Sequence, residues 1–293
     1  MLEKLSELIL FRKRWVDAFA NGFLMCLIGI VVAMIFFPAN AGLVAVFLSS
    51  LALMPSIKRM ISITEILEGR QREIMRKEVT MIEFSLARQE IDPVHLIKDN
   101  KIVFEVYGFI FLGMITCFAI VFLVLPTETV EIMFRQQLSI ANVGQAGGEF
   151  ETFSFFIKNN FYVLIVSFII AMLFAEGAVL IVSWNSAYWA AVVVLLAKDM
   201  VAEFGNNPVI PVLLIFLAIL PHMYLEMLAY LSSIVSGSFL SKAASNERLF
   251  GERFNHVLLD AIIILVGSAV LLIIAAWVET FIAPESYRLL FSL

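Results

Sequence analysis

Leu220-Pro221-His222-Met223-Tyr224-Leu225-Glu226-Met227-Leu228-Ala229-Tyr230 lies inside an apolar run, residues 208–240, that holds no Lys or Arg and one acid. A helix of that run would be about 50 Å long at 1.5 Å per residue, against a bilayer hydrocarbon core of about 30 Å. The excess predicts a membrane helix broken near Pro221, which lacks an amide proton and frees the carbonyl of Leu217 one turn upstream. Broken helices persist at membrane depth only where protein or a polar cavity surrounds them. His222 and Glu226 stand four residues apart, on one helix face. Ionisable groups at that depth are costly and turn toward a protein interior or a water-filled path. Ala229, Ser233, Gly237 and Ser241 continue the face at intervals of four, a small-residue seam on which membrane helices approach closely. The stretch therefore predicts a polar site buried in a helical membrane bundle.

The rest of the chain agrees. Of its 293 residues 61% are hydrophobic and 15% charged, where a soluble domain carries about 25% charged residues. Repeated uncharged runs of about twenty residues predict an all-α, polytopic transmembrane bundle of about seven spans, with a broken sixth helix and a cytoplasmic amphipathic helix. The net charge of −5 lacks the basic footprint of a nucleic-acid binder. Cys26 and Cys117 fall inside hydrophobic runs and read as packed thiols. No phosphate loop, nucleophile elbow or His-Glu-x-x-His zinc motif occurs, so no catalytic residue, metal or cofactor is assigned.

Four regions follow from the hydropathy pattern. Residues 1–57 hold a surface helix and a two-span hairpin; the first apolar run is too long for a signal-peptide core and reads as a retained span. Residues 58–101 are polar with near-balanced charge. Glu68–Arg72 and Glu73–Lys77 in i,i+4 order and a Met60/Leu67/Ile74/Met81 stripe predict a docked cytoplasmic helix there. Residues 102–283 form a five-span core, and 284–293 a short tail. Within the core, Asn159-Asn160 and Asn206-Asn207 read as helix caps. Asn159-Asn160 opens the fourth span, and Trp184-Asn185-Ser186 marks the turn into the fifth. The alternative for residues 161–197 is a re-entrant hairpin. Most of the Lys and Arg collect in residues 1–14, 58–101 and 241–255, leaving Arg135, Lys158, Lys198 and Arg288 on the other side. That distribution predicts a plasma-membrane protein with its N-terminus cytoplasmic and its C-terminus outside.

The core resembles the stage II sporulation protein M family. The resemblance rests on Asn159-Asn160, Gly177, Asn185-Ser186 and above all Pro221-His222-x3-Glu226-x2-Ala229 with Gly237; the end of the third span, Leu123-Val124-Leu125-Pro126, is similar as well. Ser186 and Met223 stand where the family pattern carries glycine. The resemblance implies an integral membrane protein of the cell envelope. The founding member works as a scaffold with peptidoglycan-degrading partners, and relatives occur in organisms that form no spores.

The candidate intramembrane polar site comprises His222, Glu226, Glu176 and Asn185, with Pro221, Ala229, Ser233, Gly237 and Gly177 shaping the helix break and close packing. Glu176 reads first as a snorkelled or interhelical hydrogen-bonded acid near the inner membrane edge, and second as a partner of Glu226 or the cap of a polar path. The pair His222/Glu226 reads first as packed groups sharing hydrogen bonds, then as part of an ion, proton or substrate path, and last as a catalytic or metal site. The functional expectation is a scaffold or envelope-complex subunit that recruits partner proteins through its bundle and cytoplasmic helix. A transporter or channel subunit is the alternative, and an intramembrane hydrolase or metalloenzyme a third. Partners are the lipid bilayer and other membrane or envelope proteins, with no nucleic acid. Small-residue seams serve self-association as well as internal packing, which leaves a homo-oligomer open.

Overall fold

In lipid each backbone N–H and C=O must find its partner within its own segment, so uncharged runs fold as helices before anything else decides their placement. A computed structural model describes residues 14–57, 101–135, 149–174, 177, 179–204, 207–246 and 251–285. The predicted N-terminal surface helix, the cytoplasmic helix, Glu176 and the tail beyond residue 285 lie outside the described residues. Helix α1 is Arg14–Phe36, and a 3-10 turn, Pro38–Asn40, leads into α2, residues 41–57. Helix α3 is Lys101–Val124, and the short α4, Thr127–Met133, follows Pro126. Helices α5 (Glu149–Leu173), α6 (Val179–Asp199), α7 (Val209–Asn246) and α8 (Glu252–Trp277) complete the set, and α8 runs into a π-helical turn, Val278–Ile282. Among the described residues seven helices are long and apolar enough to cross a membrane, and no strand occurs.

Helix α3 is the spine of one half. It packs against α1 on one side and α6 on the other. Glycines set the first contact: a Cβ on Gly22 would collide with the Ile110 carbonyl oxygen, and one on Gly113 with that of Phe19. Helix α4 seals the end of this half, where Phe134 packs edge-on against Phe118 and Phe122. Cys26 and Cys117 are buried free thiols, as their surroundings predicted.

Helix α7 is the spine of the other half, packed against α5 and α8. Its predicted break does not occur. The helix is continuous from Val209 to Asn246 with Pro221 inside it. Pro221 sits on the exposed side, and Leu217, whose carbonyl loses its amide partner, is 55% exposed. The missing bond therefore falls away from the buried His222/Glu226 face and does not complete a polar cluster there. Excess length is accommodated without a break because a 38-residue helix can tilt or project beyond the hydrocarbon.

The fourth and fifth helices also differ from expectation. Helix α5 starts at Glu149, ten residues before Asn159-Asn160, with Glu149 and Glu151 in its first turn, where acids favour a helix N-terminus. It ends at Leu173 and α6 begins at Val179, so the two helices are not divided at Trp184-Asn185-Ser186. That tripeptide continues α6. Its polar side chains fold back onto the preceding turn, Asn185 Nδ2 donating to Ile181 O at 2.8 Å and Ser186 Oγ to Val182 O at 2.8 Å. Polar residues satisfied in this way need no break. Although joined by a short connection, α5 and α6 scarcely touch: α6 packs on α3, and α5 on α7 and α8.

Candidate intramembrane polar site

The seam predicted on α7 is the surface that holds α5. Ala229 and Ser233 are fully buried. Ser233 Oγ donates to Leu164 O at 2.9 Å, and one turn on, a Cβ at Gly237 would collide with the carbonyl oxygen of Phe168. The register is 233 on 164 and 237 on 168, a repeat of four on both helices. On the adjoining face Ser236 Oγ donates to Ala261 O of α8 at 2.6 Å. The seam is thus consumed inside the chain.

That register sets Asn160 opposite Ala229, one turn of α7 from Glu226. Asn160 and Glu226 are both buried, and Asn160 Nδ2 donates to Glu226 Oε1 at 2.6 Å. Asn160 is therefore not a helix cap; it sits in the middle of α5 as the partner of the buried acid, with Asn159 Nδ2 donating weakly to its Oδ1 at 3.4 Å. His222 is buried too but does not share a hydrogen bond with Glu226. Its ring lies against Trp189 of α6, centroids 5.3 Å apart, and its Nδ1 has no hydrogen-bond partner. The predicted pair is thus divided. Glu226 turns to α5 and His222 to α6.

Where α5 and α6 diverge, a cavity of about 50 Å³ opens against α7, enough for a small cluster of atoms or a water or two. Helix α5 contributes Phe155, Phe156, Asn159, Asn160 and Val163. Helix α6 contributes Trp184, Asn185, Tyr188 and Trp189. Glu226 and Tyr230 come from α7, and Glu279 from the π turn after α8. A smaller, apolar space of about 20 Å³ lies on the α3 side of the same residues, so Glu226, Tyr230, Asn185 and Trp189 form the wall between the two.

Glu279 is the site residue that sequence reading missed. It lies in the π turn, a departure from α geometry that frequently marks functional positions. Its Oε2 is enclosed without a hydrogen-bond partner. Glu226 and Glu279 are within Coulombic range of each other and of Tyr188 and Tyr230. The signal available in the sequence was an acid five residues before Pro284, at the end of a run otherwise free of charge from Ala261 onward. Among the sequence-predicted residues, the structure brings Glu226 and Asn185 into the cavity and places His222 behind it. Gly177 lies in the α5–α6 connection. Among the described residues no group of three or more His, Cys, Asp or Glu is arranged to hold a metal ion.

These features define the class: a polytopic helical membrane protein whose core carries an acidic, aromatic-walled cavity. Residues 106–284 match the family described as Stage II sporulation protein M. The match covers more than half of the chain, which belongs to that family. No curated protein and no solved structure matches the chain.

Proposed function

We propose that the protein is an integral scaffold or envelope-complex subunit of the plasma membrane, N-terminus cytoplasmic and C-terminus outside, that recruits other membrane or envelope proteins. Family membership across the core carries this reading. The shape of α7 supports it: 38 residues make about 57 Å of helix, well beyond a core of about 30 Å, leaving an end to meet a partner at the membrane surface. The small-residue seam of α7 is filled internally, so recruitment falls to other surfaces. Affinity purification of the full chain from native membranes in mild detergent is expected to recover partners at stoichiometric levels. Repeated recovery of the protein alone would overturn the proposal.

The cavity favours a second reading, a transport or channel subunit, because acids facing a polar space at membrane depth mark ion and substrate paths. Solute flux into proteoliposomes, absent when Glu226 is changed to Gln, is the result that reading requires.

A further inference from the structure

We propose that the cavity between α5 and α6 binds an organic ammonium group, carried by a free amine or by a lipid headgroup. This goes beyond the scaffold and transport readings and concerns binding alone.

Acidity is the first argument. Two carboxyl groups, those of Glu226 and Glu279, line one small cavity, and no Lys, Arg or His lines it among the described residues. Hydrogen-bonding capacity is the second. Asn160 satisfies one oxygen of Glu226, whereas Glu279 Oε2 is enclosed with no donor. The amide nitrogen of Asn185 is committed to Ile181 O, which leaves its Oδ1 as an acceptor on the cavity wall. An acceptor-rich, acidic space is complementary to a group that is all donor and positively charged.

The walls decide which cation fits. Phe155, Phe156, Trp184, Tyr188 and Tyr230 surround the acids, and aromatic faces attract alkylammonium groups through their quadrupole. A metal ion would call for converging oxygen, nitrogen or sulfur ligands; the described residues offer no cluster of three acidic, His or Cys side chains. A cavity of about 50 Å³ admits an ammonium head with a methyl or two and not a whole headgroup. The remainder of the molecule has a way out between α5 and α6, which scarcely touch.

The experiment uses the full chain purified in a non-ionic detergent. Its Tm is followed in methylammonium, ethanolamine, sodium and potassium chlorides at constant ionic strength, and radiolabelled methylammonium binding is measured by equilibrium dialysis. A parallel arm compares nanodiscs of phosphatidylethanolamine with nanodiscs of phosphatidylglycerol. The amines are expected to raise Tm saturably, by about 5 °C at roughly a hundred times Kd, with sodium and potassium inert. Glu226→Gln and Glu279→Gln should each weaken binding at least about tenfold, the loss expected for one charged partner. Stabilisation confined to phosphatidylethanolamine nanodiscs would assign the group to a lipid. An equal response to sodium, a response unchanged in both variants, or no binding and no shift with any amine or lipid would each overturn the proposal. The dialysis measurement on the parent protein decides the matter even where a variant does not fold.

Discussion

Asn160 shows what a single residue does once its neighbours are known. On its own helix it is a polar residue amid Phe and Val, eleven residues into α5. Across the bundle it is the donor that satisfies a buried carboxylate. Leaving a buried charged or polar group without its partner costs about 1–3 kcal/mol. Asn160→Leu is therefore expected to destabilise the protein by that amount, while Asn159→Ala, which loses only a long 3.4 Å contact, changes stability by less than about 0.5 kcal/mol. Denaturant unfolding in mixed micelles checks both. Glu226→Gln keeps an oxygen for Asn160 and is expected to fold like the parent; Glu226→Leu strands the amide of Asn160 and is expected to lose about 1–3 kcal/mol. Equal stability of the two variants would sink the assignment of Glu226 as the organising acid. The acid and its helix were legible from spacing alone. The partner was not, because 66 residues separate the two and a polar residue beside an apolar run reads locally as a cap.

At the scale of elements, α7 is the informative case. Its seam was readable because small residues every four positions create a groove whatever lies opposite. Its continuity was not, because length and one proline leave a break and an unbroken helix equally open. The fold resolves this by placing Pro221 on the exposed face, where the unmade hydrogen bond does not disturb packing. Pro221→Ala is accordingly expected to leave the helix and the fold intact, with stability equal to the parent or up to about 3 kcal/mol greater, the helix propensity difference. A large loss would mean that the proline shapes the site. Gly237→Val is expected to go the other way, forcing α5 and α7 apart against the Phe168 carbonyl at about 1–3 kcal/mol or more. Reduced Tm and easier proteolysis of α5 are the measures.

At the scale of the whole molecule, the number of crossings and their direction separate. Among the described residues seven helices are long enough to span, and helices α5 and α6 are each among them, as full spans rather than a re-entrant hairpin require. Ser186 is buried within α6 and is unsuited to report the turn. Phe174, 68% exposed at the connection, is the right probe. With Cys26 and Cys117 replaced, Phe174→Cys is expected to react with impermeant thiol reagents only from the cytoplasmic side. Labelling from outside would reverse the orientation proposed from the basic residues.

What the sequence by itself determined was local: helices in place of strands, about seven of them, the buried acid at 226, and the small-residue face of α7. Each follows from the composition of one contiguous segment, since in lipid a helix satisfies its own backbone. The tertiary structure decided everything that needed two segments at once. It placed Asn160 against Glu226, turned His222 to Trp189, drew Glu279 into the same cavity, and left α5 and α6 apart. No driving force specific to one helix chooses its neighbour in a bilayer, where lipid is as apolar as leucine. That choice falls to the fit of glycines to carbonyls and of a few polar side chains to one another, and such fit exists only between helices already side by side.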